Sequence, residues 1–341
     1  MRNTTKLFGI IAIVAVIGFS FATCGDIGGG GYTPTAGLYR GALPNLVAED
    51  RVDLDLEGTN LVDAAFIHVN ANPGTFTLLV GAPATRTAVF APAANVHLTI
   101  AGIGGRQTIT RTGTGNLFNV DGANRSLTLG NNITLAGYAG NNNALVLVQG
   151  GASLTMNAGA QITRNTVLLA NHGGGVHVTG EDSTFTMNGG EIFRNTSSGN
   201  AAGGGVRVSD EALFVMHAGA VIRDNTTTSA VSAGGVFVIN STFRMLGGEI
   251  RGNTATGNTS VAGGARISGG SFQIVSGVIY GGNEEDYPNT GTGTGTSYNA
   301  LVIAGGGTAT LGTMVGGAFT PGSVTLTDTD DTIRVVNGVR Q

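Results

Sequence analysis

The sequence predicts an all-β protein, a right-handed parallel β-helix solenoid with about 30 residues per rung, where a rung is one turn of the solenoid. Three observations predict it. A unit of similar sequence recurs roughly every 30 residues, apolar residues inside each unit alternate with a period of two, and Gly or Asn ends each short apolar run. Such alternation is typical of β-strands, of which we expect three per unit. A unit too small to bury its own apolar face must stack on its neighbours.

The composition agrees with many short strands and tight turns. Among 341 residues there are 59 Gly but only 7 Pro, and 11% of the residues are charged. These values exclude a collagen-like chain and a Pro-rich disordered chain. The formal net charge of −4 argues against a nucleic-acid partner, which normally requires a basic surface. Nothing in the sequence calls for a cofactor.

Residues 1–23 have the layout of a signal peptide. Two early basic residues precede an apolar run over 7–22, which is right for a signal sequence and short for a membrane-spanning helix. The sole cysteine, Cys24, follows at once, and this arrangement resembles a lipoprotein signal, in which that cysteine is lipidated. Residues 24–37 are predicted to form a Gly-rich tether. We therefore expect an exported lipoprotein that is membrane-anchored in the bacterial envelope, periplasmic or on the cell surface; an ordinary signal peptide is the alternative.

Residues 38–74 are predicted to form an N-terminal cap over the first rung. The stretch 59–70 has the pattern of a short amphipathic helix with Thr59 or Asn60 as its N-cap. A solenoid needs such a cover because its end rung otherwise exposes an apolar face. Residues 75–341 are predicted to form the β-helix itself, with C-terminal strands that close the last rung.

Two columns of residues recur at equivalent places in successive rungs. The phenylalanines alternate with their neighbours in strand fashion, so stacking should place them in one interior file. The asparagines follow an Ile by three residues and fall outside the alternation, which predicts a corner where stacked side chains form a hydrogen-bonded ladder. The phenylalanine column is Phe185, Phe214, Phe243 and Phe272, and the asparagine column is Asn165, Asn195, Asn225 and Asn253.

The stretch 284–297 is predicted to be a loop between rungs.

These repeats resemble those of the pectate-lyase-like parallel β-helix superfamily. They are also similar to the repeats of the polymorphic outer-membrane proteins, which combine a GGA-type motif with an FxxN-type motif. The counterparts here are Gly173 to Val176 and Gly203 to Val206, with Ile192 to Asn195 and Ile222 to Asn225. The chain departs from that family in carrying Ile where Phe is usual. The resemblance is clear over residues 140–283, and it implies the fold without implying a function.

Two glutamates are the best candidates for catalysis. Glu191 and Glu249 share a column two rungs apart, about 9.6 Å by strand spacing, at the upper limit for an inverting glycosidase. Val221 stands between them, and no Arg or His is expected to join them. They are weak candidates, and the alternative interpretation is two solvated outward residues.

The histidines do not indicate a metal site. His177 falls in the outward column of the first strand of its rung, together with Leu147, Arg207, Phe237 and Arg266, and is expected to be a solvated surface residue. His172 and His217 lie elsewhere in the repeat, so we expect no histidine cluster and no metal.

A strip of arginines is the best candidate for ligand binding. Arg164, Arg194, Arg223 and Arg251 come from successive rungs near the asparagine corner, with Phe193 in the same strip. Four cations at close repeat repel one another, so an anionic partner is one hypothesis. Separately solvated arginines are the other.

Two classes of function remain open. The first is a non-enzymatic cell-envelope or surface protein, ligand-binding and adhesin-like or structural, whose partner is a glycan or an extracellular protein. The second is a carbohydrate-active enzyme, a polysaccharide lyase or glycoside hydrolase on the same fold. We favour the first because no cluster of acidic residues accompanies Glu191 and Glu249. The sequence leaves the oligomeric state open.

Overall fold

Equivalent residues of successive rungs lie side by side in parallel strands. In the computed structural model, which describes residues 32–170, 172–200 and 202–341, Phe185 pairs with Phe214 and Phe214 with Phe243. About seven turns of about 29 residues each stack in this way. The predicted all-β parallel β-helix is therefore confirmed. The predicted signal peptide and Cys24 lie outside the described residues.

The largest sheet, sheet A, has sixteen strands arranged as two parallel arms that merge. The arms merge in the ten-residue strands Val236–Met245 and Ala265–Ile274, because these two rungs continue from one arm into the other without a break. The first arm contains Phe118–Asp121, Val146–Gln149, Val176–Thr179, Val206–Ser209 and later Leu301–Ala304. The second contains Thr75–Val80, His97–Gly102, Ser126–Leu129, Ser153–Met156, Thr184–Met187, Leu213–Met216 and later Thr308–Val315, with Gly37–Arg40 and Ala318–Thr325 at its edges.

Three further sheets complete each rung. Sheet B consists of Ala84–Arg86, Gln107–Arg111, Ile133–Ala136, Gln161–Thr163, Gly190–Phe193, Ala220–Arg223, Glu249–Arg251, Gly277–Ile279, Ile333–Val336 and Val339–Arg340. Sheet C consists of Thr166–Val167, Thr196–Ser197, Thr226–Thr227, Thr254–Ala255 and Thr290–Gly291. Sheet D consists of Ala202–Gly203, Val231–Ala233, Ser260–Ala262 and Thr296–Tyr298. A complete rung therefore has up to five strands instead of the expected three, because the strands of sheets C and D are too short for their apolar alternation to be visible.

The predicted capping helix is present at Leu61–Ala71 (α1). Its N-cap is Asn60, whose side-chain oxygen accepts a hydrogen bond from the backbone N–H of Asp63 at 3.0 Å. The buried face of α1 includes Phe66, whose ring stacks on Phe90 with centroids 4.1 Å apart. The helix therefore covers the open apolar end of the solenoid. A short 3₁₀ helix at Ala48–Asp50 precedes it.

The interior consists of files of identical or similar side chains. The rings of Phe185, Phe214, Phe243 and Phe272 are fully buried and nearly parallel, with centroid separations of 4.8, 4.8 and 4.6 Å. The spacing equals the distance between neighbouring strands, so the rings of successive rungs stack directly on one another. The predicted interior file of phenylalanines is confirmed.

The turn that leads into the first arm of sheet A requires glycine. A Cβ on Gly204 would lie 2.3 Å from the carbonyl oxygen of Gly234 in the next rung, and one on Gly174 would lie 2.0 Å from that of Gly204. No side chain fits such a contact. The repeated glycine run therefore allows the backbones of adjacent rungs to approach closely at this corner.

Two expectations about loops and surfaces are wrong. The stretch 284–297 is not simply a loop, because it contains the strand Thr290–Gly291 and the start of the strand Thr296–Tyr298.

His177 is only 7% exposed instead of being solvated. Farther along the same outward column, Phe237 and Val302 form an apolar cluster, separate from the main core, with Ala233, Ala262 and Tyr298 of sheet D. Sheet D therefore folds back over the first arm of sheet A.

The C-terminal strands reverse direction. Ala318–Thr325 runs antiparallel to Thr308–Val315, and Ile333–Val336 runs antiparallel to Gly277–Ile279. These pairings end two of the sheets, as expected for closing strands. Across the described ranges, no helix has both the length and the apolar character needed to cross a membrane.

Candidate ligand-binding face

The outward surface of sheet B carries a continuous line of hydrogen-bonded side chains. Arg106 donates to Thr134 Oγ1 at 3.4 Å, and Thr134 donates to Gln161 Oε1 at 3.1 Å. Gln161 Nε2 then donates to Glu191 Oε2 at 3.2 Å, and Arg223 Nη2 donates to the same oxygen at 2.9 Å. Strand stacking brings these outward side chains together, although they are distant in sequence. We call this surface, with the corner that follows it, the sheet B face.

The four arginines of the predicted strip occupy two columns instead of one. Arg223 and Arg251 are register partners at the end of their strands, in line with Phe193. Arg164 and Arg194 stand one residue later, immediately before the ladder asparagines, with φ values of 59° and 53°. The difference follows from spacing, because Arg223 and Arg251 precede their asparagines by two residues and Arg164 and Arg194 by one. The structure thus brings Arg194, Arg223 and Phe193 together but does not align all four cations.

Arg223 and Arg251, which share one column, are each paired with acidic side chains. Arg223 donates to Glu191 at 2.9 Å and to Asp224 at 2.6 Å, and Arg251 donates to Glu249 at 3.1 Å. The expectation that no arginine joins Glu191 and Glu249 is therefore wrong. Burial lowers the pKa of Arg223, but its hydrogen bonds to Glu191 and Asp224 outweigh that effect and leave the pKa above its ordinary value. Two of the four arginines of the strip are thus neutralised by neighbouring acids, whereas Arg164 and Arg194 are exposed and form no ion pair within the described residues.

Aromatic rings flank these guanidinium groups. The guanidinium carbon of Arg223 lies 4.3 Å from the centroid of Phe193, and that of Arg194 lies 5.9 Å from it. One rung farther, Arg251 lies 4.7 Å from the ring of Tyr287. Cation–π contact at these distances restrains both partners. Tyr287 was not identified from the sequence because it sits in an irregular insertion between rungs.

The two candidate catalytic glutamates lie in one column, as expected. Glu191 pairs with Val221, and Val221 pairs with Glu249. A valine thus lies between the two carboxylates, where a hydrolytic pair would hold its water or sugar. Each carboxylate also accepts a hydrogen bond from an arginine. The geometry holds the glutamates in place but does not leave them facing one reacting bond.

The four asparagines form a ladder along the corner. The Nδ2 of Asn195 donates to Oδ1 of Asn225 at 3.1 Å, and Nδ2 of Asn225 donates to Oδ1 of Asn253 at 3.0 Å. Between Asn165 and Asn195 the link is made by the backbone N–H of Asn165, at 3.1 Å from Asn195 Oδ1. All four side chains are fully buried. This places them inside the corner as structural residues.

The ladder is longer than the sequence indicated. Asn141 donates to Asn165 Oδ1 at 2.8 Å, and Asn253 donates to Asn289 Oδ1 at 3.0 Å. Both additional asparagines are fully buried. Their spacings from the neighbouring ladder residues, 24 and 36 residues, depart from the regular period, so the repeat pattern did not identify them.

A concave surface lies beside α1. A cavity of about 470 Å³ is lined by α1 and by the segment that follows Ala84–Arg86. Asp63 and Arg86 form an ion pair there, and Arg86 lies 4.5 Å from the ring of Phe66. Burial lowers the pKa of Arg86, while Asp63 opposes that effect. The cavity is confined to α1 and the first rungs, whereas the sheet B face continues across successive rungs, so the sheet B face is the stronger candidate.

Within the described ranges, no group of three or more His, Cys, Asp or Glu side chains is placed to hold a metal ion. Comparison with known proteins gives no matching family model, no similar curated protein and no similar solved structure.

Proposed function

We propose that this protein is an exported, non-enzymatic β-helix of the bacterial cell envelope that binds a glycan through the sheet B face. The resemblance of residues 140–283 to surface β-helix repeats and the lipoprotein-like segment at Cys24 support an extracytoplasmic place. An extracellular protein partner and a purely structural role are the alternatives within the same class.

The line of hydrogen-bonded side chains from Arg106 to Arg223 is the observation that carries the proposal. It offers paired donors and acceptors at a fixed spacing of one strand, about 4.8 Å. The ring of Phe193 lies within 4.3 Å of the guanidinium of Arg223 at the end of this line. Sugars present hydroxyl groups together with apolar C–H faces, so a rigid surface with polar pairs and a flat ring matches their chemistry. Because its charges alternate, this surface favours a neutral or weakly charged glycan over a polyanion.

Catalysis by Glu191 and Glu249 is the second candidate function. Their shared column, two strands apart, favours it. Val221 between them and the arginine bonded to each carboxylate argue against it. Incubation of the protein with uronate and neutral polysaccharides, with and without Ca²⁺, tests this candidate. Product release that Glu191→Gln and Glu249→Gln abolish would establish an enzyme in place of a binding protein.

The binding proposal is tested by screening the full chain against neutral and acidic glycans. For each ligand found, Phe193→Ala combined with Arg194→Ala should weaken binding at least tenfold. Arg244→Ala is the matched control, since Arg244 bonds Gln273 at 2.8 Å in sheet A, away from the sheet B face. Equal affinity of the double variant and the parent would exclude the sheet B face as the site. A steep loss of affinity with salt would instead indicate an anionic ligand held by charge.

A further inference from the structure

A cluster of nitrogen-bearing side chains is buried on the outward face of the first arm of sheet A. His177 is 7% exposed, and its register partner Arg207 is 8% exposed. The ring of His172 lies beside that of His177, with centroids 5.5 Å apart. The expectation that His172 lies apart from His177 is therefore wrong. We call these three residues the His–Arg cluster.

Hydrogen bonds fix the proton arrangement of His177. Ser209 Oγ donates to Thr179 Oγ1 at 3.0 Å, and Thr179 donates to Asp210 Oδ2 at 2.7 Å. His177 Nε2 lies 3.0 Å from Ser209 Oγ. Because Ser209 already donates its proton to Thr179, Nε2 must be the donor, which assigns the neutral Nε2–H tautomer. The Nδ1 atom of His177 then carries a free lone pair.

Three nitrogen atoms of the cluster have no partner. The Nδ1 atoms of His172 and His177 and the Nε of Arg207 are inaccessible to solvent and make no hydrogen bond in the described part of the chain. The carboxylate that acts on this cluster electrostatically is Asp210, and its Oδ2 atom already accepts the proton of Thr179. Burial of a guanidinium without an acceptor is unfavourable. The cluster therefore has a positive charge, a buried N–H group at Arg207 Nε without an acceptor, and two imidazole Nδ1 atoms without a partner.

We propose that the His–Arg cluster binds one small oxyanion, such as a carboxylate, sulfate or phosphate group. A guanidinium matches the oxygens of such a group with parallel N–H donors. Each imidazole can add a donor at Nδ1 by taking up a proton. A divalent metal fits less well, because Arg207 would repel it and the described residues supply no third ligand beside the two histidines.

Binding of the oxyanion should be coupled to proton uptake. Burial, followed by the nearby charges of Arg207 and His172, lowers the pKa of His177 to about 3, with Asp210 acting in the opposite direction. Burial also lowers the pKa of His172. Both rings are thus neutral at pH 7 without a ligand. An anion favours their charged forms, so affinity should rise as the pH falls.

The test is a titration of the full chain, labelled at histidine, with sodium sulfate at constant ionic strength maintained with chloride. We expect a saturable shift of the ring signals of His172 and His177 and a pKa of His177 raised from about 3 to at least its ordinary value of 6.5. Sulfate should bind at least tenfold more tightly at pH 5.5 than at pH 7.5. Glucose 6-sulfate in place of inorganic sulfate shows whether the group is taken free or on a sugar, and saturation by either supports the proposal.

Two variants complete the experiment. Arg207→Gln should abolish the saturable shift. Arg266→Gln is the matched control, because Arg266 is also buried in this column but lies two strands away, bonded to Ser260. A linear response of the parent to both ligands would overturn the proposal, whatever the variants do. So would an equal response of the parent and Arg207→Gln.

Discussion

Arg223 and Glu191 are joined across the boundary between two rungs. The Nη2 atom of Arg223 donates to Oε2 of Glu191 at 2.9 Å, while Nη1 of the same guanidinium donates to Asp224 at 2.6 Å. One arginine thus neutralises an acid from the rung before it and an acid beside it. This contact neutralises one of the four arginines of the predicted strip, and it shapes the kind of ligand the sheet B face can accept.

The Arg223–Glu191 pair should contribute little to stability. Its side chains are 19% and 31% exposed, so water and salt screen the attraction. A double-mutant cycle with Arg223→Ala and Glu191→Gln should give a coupling of about 0–1 kcal/mol that decreases in 1 M NaCl. A salt-independent coupling above about 2 kcal/mol would show that the pair is sequestered from solvent.

Phe214→Ala should lower the free energy of unfolding by about 3–5 kcal/mol. The ring is fully buried and stacks on Phe185 and Phe243 at 4.8 Å on either side. Its removal leaves a cavity that the backbone, fixed in register, cannot close. Phe193→Ala is the control, because that ring lies on the partly exposed sheet B face and should cost much less. Chemical denaturation measures both, and an unchanged midpoint for Phe214→Ala would contradict the interior file.

Asn225→Ala and Asn195→Ala should each destabilise the protein by about 1–3 kcal/mol for each buried partner left unsatisfied. Asn225 donates to the carbonyl of Ile192 at 2.9 Å and to Asn253 at 3.0 Å, and it accepts from Asn195. Alanine leaves these buried groups without partners. Asn200→Ala, at an exposed loop position, is the control. Thermal unfolding that is equal for all three variants would show that the ladder does not stabilise the corner.

Acid should destabilise the protein through His177. The pKa of His177 is lowered from 6.5 to about 3 in the folded chain, so between these values the unfolded chain binds a proton that the folded chain does not. Stability therefore falls as the pH drops from about 6.5 to about 3, by up to ~1.4 kcal/mol per pH unit for this residue.

His177→Leu should remove that part of the acid sensitivity. Leucine already occupies the equivalent position in the preceding rung, at Leu147, so the site accepts an apolar side chain. The denaturant midpoint of the parent should fall relative to that of the variant as the pH is lowered from 7 to 4. Parallel curves over this range would mean that His177 takes up its proton in the folded state.

Cys24 should carry lipid in the mature protein. It lies outside the described residues, and the prediction rests on the basic, apolar and cysteine segments in order. Acyl chains contribute about 0.8 kcal/mol for each buried CH₂ group, so two or more chains anchor a protein stably. Detergent phase partitioning and mass spectrometry of the mature N-terminus check this. Cys24→Ser should release the protein or leave it unprocessed, and an unmodified N-terminus beyond Cys24 would indicate an ordinary secreted protein.

The repeat period by itself determined the fold and its interior. In a parallel stack, equivalent positions of successive rungs become neighbours, so a column such as Phe185 and Phe214 in the sequence is a stacked pair in space. The helix that covers the first rung followed from the same reasoning, because an exposed end needs a cap and Asn60 supplies its N-terminal signal. Local spacing carries all of this information.

Only the tertiary structure decided how deeply the outward side chains are buried and which of their charges are paired. His177 and Arg207 lie in a period-two pattern that places them outside the main core, yet both side chains are buried. Arg223 meets Glu191, 32 residues away in the chain, because their two strands lie side by side in one sheet. A repeat specifies which residues are equivalent, but burial and ion pairing depend on what covers each column. The covering segments at the corners are the least regular part of the repeat, so the sequence could not specify them.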